Sequence, residues 1–459
     1  MVDKDSIQAT MAHSRPSVID LDSSGGVPDG WALARLEDVI TLVRGVSWRK
    51  ADESPEGVAV IGIPNIQGGK VTGDIRYRID KRIREDKFLA PGDVLLVGSS
   101  GSLHNVGRVA VFDGTLPEKA TFASFLVKAS PARGQVCSSF LPWIFSSRLI
   151  RFEECSKRAA DGKFNLQLGE LRQQVIPLPP LSEQRAIAHV LRTVQQAKEA
   201  TEAVIAAIRE LKKSLMWHLF TYGPVPVDQT DQVSVNETEL GRVPRHWDIV
   251  PLGDLTTRGG GLIQTGPFGS LLHASSYRDT GVPLIMPKDL TQDGRIDHST
   301  VARVGDDDYR RLERYHLHRG DIVVARRGEL GRRGLVSGAE VGWVCGTGCL
   351  IIRPGQLIDS RFLSYAFETA WVREWLEGHA IGTTMKNLSA AILAKLPVPV
   401  PPMNEQHQIA DFLQDVDRKI SVGERRQRAL DALFRSVLHY LVTGKVRVGD
   451  AVLSDATNG

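Results

Sequence analysis

Hydrophobic positions along the chain follow two different rhythms. From Leu181 to His218, apolar or small residues recur in alternating steps of three and four, at Ile187, Val190, Val194, Ala197, Thr201, Val204, Ile208, Leu211 and Leu215. That spacing predicts one amphipathic helix with a heptad seam, about 57 Å long at 1.5 Å per residue. The stripe returns at Ile409, Phe412, Val416, Leu430, Leu433 and Val437, broken in its middle by Lys419, Gly423 and Arg426. Between and before the stripes, from about Gly26 to Gln174 and from Gly241 to Leu396, apolar runs are short and bounded by Gly-Asp or Asp-Gly turns. Such runs predict strands, with a few helices such as Ser138 to Lys157 and Ser360 to Glu377. The expected fold is α+β: two mainly-β globular domains, each followed by a long helix. Two long stripes that leave head-to-tail repeats cover each other best as an antiparallel coiled coil.

The two halves are copies. Val27-Pro28-x-x-Trp31 matches Val243-Pro244-x-x-Trp247, and Pro91-Gly92-Asp93-Val94-Leu95-Leu96 answers Arg319-Gly320-Asp321-Ile322-Val323-Val324. The strongest match, at a shift of 222 residues, sets Ile176-Pro177-Leu178-Pro179-Pro180-Leu181-Ser182-Glu183-Gln184 against Val398-Pro399-Val400-Pro401-Pro402-Met403-Asn404-Glu405-Gln406. Proline holds each of these segments extended, and Ser182 and Asn404 supply N-caps for the helices that follow. The predicted organisation is therefore a mobile extension (1–25), a first domain (26–178), a central helix (181–221), a linker (222–240), a second domain (241–400), a distal helix (403–442) and a mobile tail (443–459).

Composition narrows the function. With 42% hydrophobic and 24% charged residues the chain buries real cores. No apolar run is long enough to span a bilayer and the first ten residues do not resemble a signal peptide, so a cytoplasmic protein is expected. Cys137, Cys155, Cys345 and Cys349 are too few for a disulfide framework and lack zinc-ligand spacing, and are expected as buried thiols. Net charge is only +3, so what matters is where the basic residues gather.

Searching for catalytic constellations finds none. Gly69-Lys70, Gly162-Lys163 and Gly444-Lys445 lack the Ser or Thr that a phosphate-binding loop places after its lysine. Gly346-Thr347-Gly348 lacks a third glycine, and no Pro-Pro pair carries the context of an adenine methyltransferase motif. Asp306-Asp307-Asp308 reads as a solvated loop rather than a magnesium site. The chain is expected to bind rather than catalyse, with neither metal nor cofactor of its own.

The basic residues do gather. Arg326, Arg327, Arg332 and Arg333 lie in a glycine-rich turn after the apolar run Asp321 to Ala325, suited to phosphate contacts and to reading guanine edges. The corresponding loop of the first repeat carries Ser99, Ser100, His104, Asn105 and Arg108, polar but less basic. Two loops of different chemistry at matching places are what two readers of different DNA sequences would show. Asn65, Gln67, Lys163, Asn165, Lys288, Lys386 and Asn387 are further candidates, equally suited to capping turns.

A tandem repeat of a β-rich domain plus a Pro-Pro-x-x-Glu-Gln helix start, with Val-Pro-x-x-Trp domain openings, resembles the specificity subunit of type I restriction-modification systems, and the resemblance covers nearly the whole chain. The resemblance implies two target recognition domains, each reading half of a bipartite double-stranded DNA site, and paired helices that set the gap and seat two adenine methyltransferase subunits. It also implies restriction/translocase subunits as partners, with S-adenosylmethionine, ATP and magnesium belonging to those partners. The residues alone leave open a fused restriction or modification enzyme with an unrecognised active site, or a pure protein-interaction scaffold.

Overall fold

The computed structural model describes residues 27–116, 119–132, 134–382 and 386–449. Two compact units emerge, one formed by the chain up to Thr201 together with Arg426 onward, the other by Glu202 to Arg425. The predicted N-terminal extension and the last ten residues lie outside the described residues.

In the first unit a β-sheet is ordered Ile40–Arg44, Leu126–Pro131, Val94–Val97, Val109–Val111, with Lys70–Val71 and Ile66–Gln67 added at its edge. The Val-Leu-Leu-Val strand is apolar at every position because both of its faces are covered. Val94 and Leu96 join Leu42, Val127, Phe140 and Leu141 in one core, whereas Leu95 and Val97 join Ala59, Ile61 and Phe122 in another. Ala59, Ile61 and Phe122 belong to a smaller sheet, Ala120–Phe122, Glu53–Ile61 and Tyr77–Ile79, whose first pair is parallel.

The second unit repeats this layering. Its sheet runs Leu262–Thr265, Cys349–Arg353, Ile322–Ala325, Arg333–Leu335. Ile322, Val324, Leu350 and Ile352 face one core; Val323, Ala325, Cys349 and Ile351 face the other. A smaller sheet again ends in a parallel pair, Val282–Ile285 with Val344–Cys345. Both domains are α+β with mainly-β cores, and the long helices, Leu181–Tyr222 and Met403–Val442, are continuous over 42 and 40 residues.

The helices pack antiparallel in each unit. In the first, Ile187 and Leu191 share a core with Leu438, Leu441 and Val442, and Lys198 Nζ lies 2.7 Å from Asp431. In the second, Arg209 Nη2 meets Glu424 at 2.8 Å, Lys212 Nζ meets Asp417 at 2.8 Å, and Phe220 shares a core with Ile409 and Leu413.

The seam itself differs in phase from the expected one. Ile187 and Ile409 are buried, and Val190, Val194, Ile208, Leu215, Val416, Leu430 and Val437 half-buried. Val204, Leu211, Phe412 and Leu433, however, are 48–58% exposed, so they do not pair the helices. The buried series on the central helix is instead Leu191, Lys198, Ile205, Lys212 and Leu219, one position later, with Lys198 only partly covered. Gly423, which looked like an interruption, is a close approach: a Cβ there would stand 2.7 Å from Ile205 Cγ1.

Further expectations change. The helix expected over Ser138 to Lys157 is only Leu141–Ser146, because buried Ser147 turns the chain, accepting from Leu149 N and donating to Ile144 O. Ser360 to Glu377 forms two helices, Ser360–Ala366 and Ala370–His379, parted where Thr369 Oγ1 bonds back to Ala366 O. The linker carries structure: strand Val235–Thr238 pairs with Gly241–Pro244 as a hairpin across the expected domain boundary. The described part of the tail is anchored, with Val448 buried and Arg447 bonded to Glu183. Asp306, Asp307 and Asp308 form the first turn of a short helix, where acidic side chains favour the exposed N–H groups. Cys137 is half-buried; the other three thiols are buried.

Among the described residues, no helix is long and apolar enough to cross a membrane.

Candidate nucleic-acid interface

The repeated sequence motifs turn out to be joints. The long helices begin at Leu181 and Met403, so Ser182 and Asn404, expected as N-caps, are already their second residues. The next residue of the central helix, Glu183, accepts the indole N–H of Trp31 at 2.9 Å, and Glu405 accepts that of Trp247 at 3.0 Å. The glutamine beside each is equally committed. Gln184 Oε1 accepts from Cys137 N at 2.7 Å while Nε2 donates to Pro179 O; Gln406 does the same with Asp359 N, at 2.7 Å, and Pro401 O. Each domain opening and each helix start is thereby fixed to one buried polar pair, whose loss would leave desolvated groups unsatisfied.

On that frame the two polar loops occupy the same place. Leu166 N donates to Gly98 O at 2.8 Å, and Leu388 N to Arg326 O at 2.9 Å. Ser99 stands opposite Asn165 in a strand pair, Ser100 opposite Phe164, and Arg327 opposite Asn387 in an isolated bridge. The structure thus brings Ser99, Ser100 and Asn165 together in one domain and Arg326, Arg327 and Asn387 in the other. Arg326 Nε donates to Asn387 Oδ1 at 3.1 Å, and its guanidinium lies 5.6 Å from the Phe268 ring centroid. Burial, then the charge of Arg327, lowers the Arg326 pKa, although an arginine stays cationic. Arg327 is exposed. In the first domain Ser99 is buried, Ser100 accepts from Ser102 N, His104 is exposed and Asn105 half-buried.

Several candidates serve the fold instead. Arg333 is fully buried; its guanidinium bonds Ser364 Oγ, Gln292 O and Glu368 Oε1, and burial lowers its pKa. It is a core residue and not a DNA contact, because the strand Arg333–Leu335 has already re-entered the sheet. Asn65 is likewise buried, holding a turn by accepting from Gly62 N and donating to Thr72 O and Asp74 O. Asp289 holds the matching turn through Met286 N. Arg108 and Arg332 are equivalent clips: Arg108 Nη2 donates to Ile66 O at 2.5 Å and Arg332 Nε to Leu290 O at 2.6 Å. Lys288 reaches Asp289 and Thr300 O, Lys163 pairs with Asp161, Gln67 donates to Pro64 O and Lys386 to Glu377 O, but all four are exposed, so these bonds leave them accessible.

The sequence reading missed two groups. Phe268 and Ile381, 60% and 70% exposed, flank the Arg326–Asn387 pair. In the first domain Trp48 lies 5.6 Å from Tyr77, whose ring also carries Arg76, near a run rich in Arg and Lys from Arg76 to Lys87. Aromatic residues set in Gly-Pro or Arg-rich loops were the available signal.

The duplicated sheet-and-helix domain thus presents unlike polar loops from like positions. The chain belongs to the type I restriction modification DNA specificity domain family, whose profile matches residues 28–210 and 244–431. It is 24% identical over 433 residues to the MjaVIII specificity subunit of a type I restriction enzyme from Methanocaldococcus jannaschii, covering 92% of this chain and 94% of that one. It is 30% identical over 196 residues to the EcoKI specificity subunit of Escherichia coli, covering 42% of each chain. Its fold is similar to that of the crystal structure of the type I restriction-modification S subunit from M. genitalium, with a TM-score of 0.58 at 16% identity over 92% of this chain and 98% of that one.

Proposed function

We propose that this specificity subunit reads a bipartite double-stranded DNA site, residues 26–178 contacting one half and residues 241–400 the other. In this reading the paired helices set the gap between the halves and seat two adenine methyltransferase subunits, and restriction/translocase subunits complete the complex. The chain does no chemistry itself; S-adenosylmethionine, ATP and magnesium belong to the partners.

The observation that carries the reading is the common placement of two loops with different side chains, Gly98-Ser99-Ser100 against Asn165 and Arg326-Arg327 against Asn387. A shared backbone frame positions both; the side chains differ where sequence is read. The continuous 42-residue central helix, about 63 Å long, supports a spacer role, since a DNA turn is about 34 Å.

Adenine methylation mapped across a host genome with and without the gene tests this. Loss of one two-part motif with a fixed gap supports it; loss of an undivided motif, or no change while the methyltransferase partner is active, refutes it.

A further inference from the structure

The second domain presents two large apolar side chains beside the half-buried Arg326 and the exposed Arg327. Phe268 follows Gly266 and Pro267 on the loop leaving strand Leu262–Thr265. That loop is held close to its neighbour: Gly266 N donates to Cys349 O at 2.9 Å, and a Cβ on Gly266 would stand 2.6 Å from Gly346 O. Pro267 restricts the next backbone torsion. A phenyl ring carried on so constrained a loop, and still 60% exposed, gains little from the fold. Ile381 is 70% exposed, and its backbone exchanges hydrogen bonds with Asn387 at 2.9 and 3.1 Å. Arg326 links the two: its Nε donates to Asn387 Oδ1 at 3.1 Å and its guanidinium lies over the Phe268 ring, 5.6 Å from the centroid.

This combination has a chemical complement. In the major groove guanine offers two acceptors to an arginine, and thymine offers the only methyl group, which apolar side chains contact. We infer that Phe268, with Ile381 beside it, reads the 5-methyl group of a thymine in the half-site of the second domain, next to the base engaged by Arg326 or Arg327. This inference rests on the proposed function and names what that site selects.

The first domain offers a parallel. Gly45 follows strand Ile40–Arg44 as Gly266 follows its own strand, and Gly45 N donates to Leu126 O as Gly266 N does to Cys349 O. The loop beyond Gly45 also carries an aromatic residue, Trp48. Its ring packs 5.6 Å from Tyr77, whereas Phe268 carries the guanidinium of Arg326, so the two domains are expected to differ in their use of thymine methyl groups.

The test uses the full chain in its methyltransferase complex, on duplexes carrying the motif found by methylation mapping. Each thymine of the second domain's half-site is replaced in turn by deoxyuridine, which removes only the methyl group. One replacement is expected to weaken wild-type binding about fourfold, the value of one buried methyl group. Phe268→Ala should bind thymine and deoxyuridine versions equally, with its melting temperature unchanged. If no replacement matters to the wild type, if the half-site contains no A·T pair, or if Phe268→Ala still tells the two bases apart, the inference fails. The proposed function survives those results as long as the motif remains bipartite. It falls only if the wild-type motif is not divided between the domains. Because the deoxyuridine series is run on unaltered protein, poor folding of the variant does not leave the question open.

Discussion

Trp31 donates its indole N–H to Glu183 across 2.9 Å, although 152 residues separate the two. Arg447, from beyond the distal helix, closes on the same carboxylate at 2.6 and 2.7 Å. One buried acid thus holds the opening of the first domain, the start of the central helix and the end of the distal helix. In the second unit Glu405 bonds Trp247 and His246 in the same way.

Glu183→Ala should therefore destabilise the first unit by about 1.5–3 kcal/mol, the range for hydrogen bonds to a charged group, because it strands a buried indole N–H. Calorimetry checks this: the transition of one unit should fall while the other keeps its temperature.

The helix seam yields a sharper contrast between adjacent residues. Val204→Lys should change stability by less than about 0.5 kcal/mol, since Val204 is 56% exposed. Ile205→Ala should cost about 2–4 kcal/mol, since Ile205 is 4% exposed and packs where Gly423 admits it. Denaturant midpoints at constant slope distinguish the two; equal losses would restore the heptad phase expected from sequence.

That phase error shows what is legible in a sequence. Period, helix length, pairing direction and the repeat all follow from apolar spacing and proline. The choice between Val204 and Ile205 does not, because the correct series passes through Lys198 and Lys212. These lysines enter the seam because Asp431 and Asp417 face them from the distal helix and Glu368, between the two short helices of the second domain, also pairs with Lys212. Charge pairs formed between distant segments leave no local pattern. The arginine loop has the same limitation. Four arginines within eight residues look alike, yet Arg333 faces Glu368 in the core, Arg332 is half-buried and clips Leu290 O, Arg326 is half-buried against Asn387, and of the four only Arg327 is exposed. Strand alternation could have warned of Arg333; nothing local announces Glu368.

The arginines should consequently separate in experiment. Arg327→Ala is expected to lower the salt dependence of DNA binding by about one unit of slope and leave melting unchanged. Arg333→Ala should cost about 3–5 kcal/mol of stability, the usual range when a buried ion pair loses one partner. Salt titrations of DNA affinity, paired with melting curves, decide between contact and core.

Acid should loosen the second unit. Glu424 bonds Arg295 at 2.9 Å and Arg209 at 2.8 Å, and those hydrogen bonds, that of Arg295 first, hold its carboxyl below the ordinary glutamate value. A folded pKa below the unfolded one gives stability that is complete above the ordinary value, near 4.5, and is lost as pH falls through the folded value. Melting temperature should drop on acidification below that pH, and Glu424→Gln should melt lower at neutral pH with a shallower acid slope.

Each domain is proposed to read its own half of the DNA site. Replacing residues 26–178 with the corresponding domain of a relative that recognises a different motif, then mapping adenine methylation, tests it most directly. One half-site should change to that of the donor while the other half and the gap persist. Methylation in which both halves change, or neither does, would contradict it.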